Sequence, residues 1–283
     1  MNYAELIECQ NDIIKLVENY NIVNIKPTKK YHKTFEKIPV WVMWDQGFEN
    51  APDLVKVCIN SIKEHIPQDI AELILITNKN LDKYLELPDY ILSKLYKKPT
   101  AFSNIIRAAL LYNYGGMWID STYIIINDFP KEIFQKDFWA LKKNYHYLNN
   151  KSFVDFSYNF MYSKPGNEMI CFIYSMLCNY WKNYNYQKHY FLKDGIILYG
   201  YNFDKFNTKL IDNLEDIYNE NIEFFNNNEL NKPYLKEKFK ENNFSFFKLT
   251  YKLVELKEYN NNQLTYWGYF KQKYLTKGEL ENG

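Results

Sequence analysis

The sequence has none of the charge excess, paired cysteines or long apolar runs that mark several common classes of protein. Among its 283 residues, 35 lysines and arginines nearly balance 34 aspartates and glutamates, which gives a net charge of +1. A nucleic-acid-binding protein normally carries a marked basic excess, so we expect no nucleic-acid partner. No stretch approaches the roughly 18 consecutive apolar residues of a membrane span, so we expect none.

The cysteines and the N-terminus favour a reducing compartment. The four cysteines are Cys9, Cys58, Cys171 and Cys178. None belongs to a CxxC pair, which argues against a zinc site. Cys171 and Cys178 lie two helical turns apart within an apolar run, which predicts that these two are free, buried thiols. The first residues, MNYAELIECQNDII, carry acids and no basic segment, so they do not resemble a signal peptide. We therefore predict a cytoplasmic protein.

Aromatic residues are the unusual feature of the composition. They make up 19% of the chain, with 27 tyrosines, while a hydrophobic content of 47% is enough for a sizeable core. Tyrosine rings stack on flat ligands and their hydroxyls form hydrogen bonds, which suits the recognition of sugars or bases. The alternative is that an AT-rich genome raises the tyrosine count, and for any single tyrosine we favour that explanation.

The apolar pattern predicts an α/β fold. Helices are predicted at 3–20, 50–67, 101–114 and 166–184, and strands at 38–44, 71–78, 117–120, 123–126 and, half-exposed, 152–163. Alternation of strand and helix is typical of a mostly parallel sheet with flanking helices, whose ligands bind at the carboxyl ends of the strands. We predict an N-terminal helical extension (1–37) and one domain (38–283) with a C-terminal helical and aromatic portion.

The predicted helix 101–114 carries a group of polar residues, with Thr100 as its expected N-cap. An apolar stripe faces the core; its members are Phe102, Ile105, Ile106, Ala109 and Leu110. Ser103, Asn104 and Arg107 share the other side, where they could bind an anion or a hydroxyl group. The alternative is a solvated helix face, which composition alone slightly favours.

Asp120 ends a short buried strand that follows two glycines. Gly115 suits the end of the helix, where φ is positive, and Gly116 permits close approach of the backbone. A carboxylate at the end of a buried strand is costly unless it is paired or bound to a cation. Asp120 is therefore a candidate site residue, although a turn aspartate bonded to its own backbone is an equal alternative.

Three segments resemble the bacterial capsular polysaccharide synthesis glycosyltransferases, which belong with glycosyltransferase family 32. They read WDQGFENAPDLVKVCINSIKEH, LPDYIL and FSNIIRAALLYNYGGMWIDST, within residues 38 to 128. A weaker similarity lies in FFKLTYK (246–252). The resemblance implies a GT-A type fold, a nucleotide-sugar donor and transfer with retention. It also implies a donor half (38–128) and an acceptor half (129–283).

The resemblance assigns roles residue by residue. The nucleotide base would lie at the first strand end, with Trp41, Val42, Met43, Trp44, Gln46 and Gly47. Ser103, Asn104 and Arg107 would contact the sugar and diphosphate, with Gly115 and Gly116 in the substrate site and Lys248 covering the diphosphate. Asp120 would match the first acid of an Asp-x-Asp motif and, with Thr122, would hold Mn²⁺ or Mg²⁺. Asn104, Arg107 and Asp120 would lie nearest the chemistry.

Three departures from the family pattern weaken the predicted metal site. The motif reads Asp120-Ser121-Thr122, so its second acid is missing. Asn104 stands where relatives more often carry aspartate, and Phe247 stands where a histidine is expected. Together they put metal binding in doubt and, to a lesser degree, catalytic competence.

The implied function is transfer of a hexose from a UDP-sugar to a capsular or surface polysaccharide. The acceptor would be a lipid-linked oligosaccharide, so peripheral contact with the inner face of the membrane is expected. One alternative is a toxin-like effector that glycosylates a protein. Another is a nucleotide-sugar-binding protein that has lost turnover.

Overall fold

A computed structural model describes most of the chain, and the described residues divide into two compact units. The described residues are 3–32, 34–144, 154–215, 225, 229–236, 246–250 and 255–275. The first unit comprises Met1–Glu36, Lys79–Trp118 and Ile133–Ile217. The second unit comprises Lys37–Asn78, Ile119–Glu132 and Tyr218–Gly283.

The fold is α/β, with a five-stranded, mostly parallel sheet and flanking helices, which confirms the predicted class. The helices are α1 (Tyr3–Asn19), α2 (Asp53–His65), α3 (Asp89–Leu95), α4 (Pro99–Tyr114), α5 (Glu168–Asn183), α6 (Leu192–Asn202), α7 (Lys209–Asp212) and α8 (Tyr266–Tyr274). The strands are β1 (Thr28–Lys29), β2 (Ile38–Met43), β3 (Ala71–Ile76), β4 (Leu85–Glu86), β5 (Gly116–Ile119), β6 (Tyr123–Ile125), β7 (Phe138–Asn144), β8 (Val154–Ser163), β9 (Phe246–Lys248), β10 (Tyr259–Asn260) and β11 (Gln263–Leu264). The assignment to the GT-A type stays a prediction.

The second unit contains the predicted strand–helix–strand element. β2 and β3 pair in parallel, from Ile38 opposite Ala71 to Met43 opposite Ile76. β2 is an apolar run of β-branched and aromatic residues buried at nearly every position, as expected of a parallel strand. Pro52 precedes α2, whose last turn carries basic residues that complement the helix dipole.

The C-terminal aromatic portion of the second unit packs on α2. Its apolar cluster consists of Leu54, Val57, Cys58, Ile124, Phe225, Leu230, Phe247, Leu249, Tyr266, Trp267, Phe270 and Tyr274. Hydrogen bonds tie the helices to β6: Ile125 N donates to Ser61 Oγ at 3.0 Å, and Tyr274 Oη donates to Ile125 O at 3.2 Å. The apolar cluster therefore fixes β6, and with it the segment that follows Asp120.

In the first unit, α4 carries the predicted core stripe but begins earlier than expected. Pro99 occupies its first turn and Lys98 is the N-cap, so the prediction of Thr100 as N-cap is wrong. Proline is favoured at this position because it needs no N–H partner and its φ is already helical. The five residues of the predicted stripe are buried, and α4 packs against α5.

β8 is buried rather than half-exposed, so that part of the sequence interpretation is wrong. It pairs with β7 in antiparallel orientation. Three helices of the same unit, α4, α6 and α7, contact it. Ser157, a polar residue of the alternating run, is buried as well. A polar residue in an alternating strand thus marks the solvent face only when no helix packs there.

All four cysteines are free and buried, which confirms the prediction made for Cys171 and Cys178. Burial raises the pKa of the Cys9 and Cys178 thiols to about 12, so both stay protonated at neutral pH. No helix among the described residues is long and apolar enough to cross a membrane.

Gly115 should be far less tolerant of substitution than Gly166, although both have positive φ (+67° and +76°). A Cβ at Gly115 would lie 2.7 Å from Pro165 Cδ and 2.9 Å from Ser163 O, whereas one at Gly166 meets nothing within 4 Å. Alanine is strained at both positions, and Gly115 combines φ +67° with ψ −156°, a region that is essentially restricted to glycine and costs other residues about 1–3 kcal/mol. Only Gly115→Ala adds a steric clash, so it should lower the free energy of unfolding by about 1–3 kcal/mol more than Gly166→Ala. Urea unfolding measures both variants, and equal losses would contradict the argument.

Candidate active site

The predicted substrate-binding residues fall in both units, and each group is described within its own unit. The second unit holds Trp41, Val42, Met43, Trp44, Gln46, Gly47, Asp120, Thr122 and Lys248, and the first holds Ser103, Asn104, Arg107, Gly115 and Gly116.

Asp120 lies in a tight turn and its carboxylate is paired with a lysine. Its backbone carbonyl accepts a hydrogen bond from Tyr123 N at 3.1 Å, which closes the turn before β6. Its Oδ2 lies 3.0 Å from Lys248 Nζ, and the two side chains are 28% and 24% exposed. Asp120 is thus both a turn residue and a charged group that stays open to a ligand.

The pairing of β6 with β9 brings Lys248 to this turn. Tyr123 lies opposite Lys248 in the antiparallel register, and Leu249 N donates to Thr122 O at 2.8 Å. Lys248 Nζ also lies 4.7 Å from the centre of the Tyr123 ring, a cation–π contact. These contacts hold the ammonium group beside Asp120.

Phe247, the neighbour of Lys248, belongs to the apolar cluster of the second unit. It is buried, and its ring lies 5.0 Å from that of Phe225. Successive side chains of a strand point to opposite faces, so Phe247 and Lys248 face different surroundings. The absence of a histidine at this position is therefore accounted for by packing. Tyr251 and Lys252, the end of the similar segment, lie outside the described residues.

The donor set described around Asp120 does not fit a divalent cation. Mn²⁺ and Mg²⁺ require several oxygen ligands and favour negatively charged sites. Here the carboxylate already contacts an ammonium group, and Ser121 and Thr122 supply no charge. The metal site at Asp120 and Thr122 stays a prediction, against which this donor set argues.

Among the described residues, one group of three side chains could hold a metal ion, and it lies in the first unit. It consists of Glu8, Asp12 and His189. His189 Nε2 lies 2.7 Å from Asp12 Oδ2, but Lys188 Nζ lies 2.5 Å from the same oxygen and 3.5 Å from Glu8 Oε1. The lysine already neutralises these carboxylates, so the group does not favour a cation.

The strand end predicted to bind a base is only partly open to ligands. Trp41 and Val42 are fully buried within β2, which leaves no surface for contact with a ligand in this conformation. Trp44 and Gln46 lie beyond the strand and are exposed in part or fully. Contact by the residues inside the strand stays a prediction.

Asp45 lies within the strand end predicted to bind the base (41–47), but the sequence analysis gave it no role of its own. Its Oδ1 is buried without a hydrogen-bond partner among the described residues, and burial raises the pKa of its carboxyl group. Its backbone carbonyl accepts from Asn78 N at 3.1 Å, at the end of β3. The sequence signal for Asp45 is the same as for Asp120: each is an acid that directly follows a predicted buried strand.

Arg107 in the first unit is buried, so the alternative of a solvated helix face is wrong for this residue. It is 3% exposed, and its Nη1 donates to Tyr158 O at 2.5 Å and to Asn104 Oδ1 at 3.4 Å. Its guanidinium carbon lies 4.7 Å from the centre of the Tyr158 ring and 4.8 Å from that of Trp118. The structure thus brings Asn104 and Arg107 together, with Arg107 stacked between aromatic rings.

Ser103 and Gly115 have structural explanations within the first unit. Ser103 Oγ donates to Thr100 O at 3.0 Å, a bond within its own helix. Gly115 is required because the Pro165 segment passes too close for a side chain. Gly116 also has positive φ, at 91°. Contacts of these residues with a substrate stay predictions.

The sequence matches the family described as capsular polysaccharide synthesis protein over residues 3–269. The chain belongs to this family. The match extends from α1 to α8 and so includes far more than 38–128, where the motifs carried the resemblance. Membership in this family supports a role as a glycosyltransferase.

Among solved structures, the chain is similar to one titled PaToxG Glycosyltransferase. The identity is 15% and the TM-score 0.40, over 75% of this chain and 84% of that chain. A likeness this distant carries no argument about function. No curated protein matches the chain.

In this member of the capsular polysaccharide synthesis family, ionised Asp45 should destabilise the fold. Because burial raises its pKa, the folded state binds its proton more tightly than the unfolded state. The free energy of unfolding should then fall as pH rises from the ordinary pKa of the group through the raised one. Asp45→Asn should therefore stabilise the protein at neutral pH, and the gain should vanish below about pH 4.

Urea unfolding across this pH range measures the effect of Asp45→Asn. Asp69→Asn is the matched control, because a hydrogen bond from Lys131 lowers the pKa of Asp69. The change in the free energy of unfolding caused by Asp69→Asn should have the opposite sign, which is a loss of stability at neutral pH. A loss of stability in Asp45→Asn at neutral pH would contradict the assignment of Asp45 as a strained, desolvated carboxylate.

Proposed function

We propose that the protein is a retaining glycosyltransferase that moves a hexose from a UDP-hexose to a capsular or surface polysaccharide. The acceptor would be a lipid-linked oligosaccharide, reached from the cytoplasmic side through peripheral contact with the membrane. Membership in a capsular polysaccharide synthesis family supports this proposal. The observation that carries it is the ion pair of Asp120 and Lys248, whose charged groups lie 3.0 Å apart at the end of a buried strand. The carboxylate can accept hydrogen bonds from hydroxyl groups, and the ammonium group can donate hydrogen bonds to phosphate.

The chemistry of the reaction calls for these two groups. When the bond between the anomeric carbon and the phosphate oxygen breaks, its electron pair leaves with the nucleoside diphosphate. A fixed cation such as Lys248 stabilises the negative charge that develops there. The anomeric carbon becomes oxocarbenium-like, and the Asp120 carboxylate can accept hydrogen bonds from sugar hydroxyls while it favours that positive charge.

Retention is proposed to follow front-face departure. The oxygen of the acceptor hydroxyl bonds to the anomeric carbon on the side from which the diphosphate leaves, and the hydroxyl proton passes to a leaving phosphate oxygen. No described side chain is assigned as a nucleophile. Asn104 would contribute through its amide, held by Arg107 at 3.4 Å, with hydrogen bonding but no charge.

Asp120→Ala should lower turnover by about 100-fold or more, because it removes a charged group aligned with the transition state. The measurement is release of UDP from UDP-glucose, UDP-galactose and their N-acetylated forms, with a lipid-linked oligosaccharide extract as acceptor. Asp69→Ala is the control, since Asp69 is an exposed acid of the same unit that pairs with Lys131 at 2.5 Å. Equal turnover in the Asp120→Ala variant and the wild-type protein would contradict the site, and binding of UDP without any turnover would favour a binding protein.

A further inference from the structure

We propose that the ammonium group of Lys248 replaces the divalent cation, so that this protein binds the diphosphate of its donor without metal. The inference rests on the proposed function, and it concerns how the Asp120 site recognises a nucleoside diphosphate. It follows from the disagreement between the expected Asp-x-Asp metal site and the side chains that the structure describes there.

The first argument is the balance of charge. Two carboxylates of an Asp-x-Asp motif with one divalent cation sum to zero. Asp120 and Lys248, one carboxylate with one ammonium group, also sum to zero. Because the second acid is replaced by Thr122, the lysine restores the balance that the lost carboxylate and the cation would have given. The pair thus offers a diphosphate the same net charge as a filled metal site.

The second argument is the position of the ammonium group. The β6–β9 register sets Lys248 opposite Tyr123, and its Nζ lies over the Tyr123 ring at 4.7 Å. An ammonium group has three N–H donors, and one is directed at Asp120. The side chain is 24% exposed, so the other donors can reach a phosphate oxygen from solvent. A preorganised donor of this kind resembles the phosphate-binding lysines of other nucleotide sites.

The third argument is competition at the carboxylate. A metal ion on Asp120 Oδ2 would face an ammonium group that lies 3.0 Å from the same oxygen. Like charges at such separations repel, and among the described residues Asp120 belongs to no group of three or more His, Cys, Asp or Glu side chains that could hold a metal ion. A diphosphate has the opposite sign and is attracted. The site as described therefore selects the anion over the cation.

The exchange of partners gives the inference a distinctive signature. In the free protein Asp120 neutralises Lys248. In the complex, Lys248 binds phosphate while Asp120 accepts a hydrogen bond from a hydroxyl group of the nucleotide-sugar. Asp120→Asn should release the ammonium group from its carboxylate and leave the affinity for UDP unchanged or raise it. If Asp120 were a metal ligand, the same substitution would remove metal-dependent binding.

The experiment is calorimetric titration of the full chain with UDP, in excess EDTA and separately in excess MnCl₂. We expect the same Kd, within about twofold, in both conditions, and weaker binding as ionic strength rises. Lys248→Met should weaken the binding of UDP by about 10- to 100-fold, the usual loss for a hydrogen bond between charged groups. Lys248→Arg, which keeps the positive charge, should retain part of the affinity for UDP that Lys248→Met loses.

Matched controls come from the exposed pair of Asp69 and Lys131 in the same unit. Lys131→Met and Asp69→Asn change the net charge as Lys248→Met and Asp120→Asn do, and they should leave the Kd for UDP unchanged. The urea midpoint of each variant shows whether it is folded. Because Lys248→Met could disturb the β6–β9 pairing, the effect of Asp120→Asn on the Kd provides an independent test.

Two results would overturn the inference in different ways. Binding of UDP that requires Mn²⁺ and is lost in Asp120→Asn would refute metal-free recognition and leave the proposed glycosyltransferase intact. GDP and dTDP are titrated in parallel, and the same variants are tested with whichever nucleotide binds. Failure of all three to bind in either condition would remove the proposed function together with this inference.

Discussion

The ion pair of Asp120 and Lys248 is the contact on which the candidate site depends. It joins residues 128 positions apart in the sequence, and it exists because β9 pairs with β6 in one register. That register is held by the apolar cluster, in which Phe247 points away from the turn that Lys248 approaches. A slip by one residue would exchange the two side chains, placing the phenyl ring at the turn and the charge in the core.

Two acids that follow buried strands differ in how their carboxylates are stabilised. Asp120 has a cationic partner, whereas the buried Oδ1 of Asp45 has no hydrogen-bond partner among the described residues and burial raises the pKa of this carboxyl group. Desolvation of a carboxylate without a partner costs stability, and such groups are common at functional sites. Asp45 therefore joins the candidate residues of the second unit on physical grounds.

Arg107 shows how a residue predicted to lie in the active site can also serve the fold. Its guanidinium group bonds to the backbone of Tyr158 and stacks on two aromatic rings, and these contacts offset part of the cost of burying its charge. The same arrangement fixes Asn104 through Nη1. Loss of activity on substitution of Arg107 would therefore need a stability measurement before it could be assigned to catalysis.

Periodicity and motifs are local properties of the chain. The α/β class, the strand–helix–strand element with β2 and β3, the buried thiols of Cys171 and Cys178 and the family could therefore be predicted without the structure. Asp120 and Lys248 were predicted as separate site residues, but their pairing became visible in the folded chain alone, since β-strand pairing between distant segments is set by packing. The burial of Arg107 also depends on distant segments, because rings from β5 and β8 stack on its guanidinium group, and β8 is buried because helices contact it. Asp45 carries the same sequence signal as Asp120, but its desolvation depends on neighbours that no local pattern specifies.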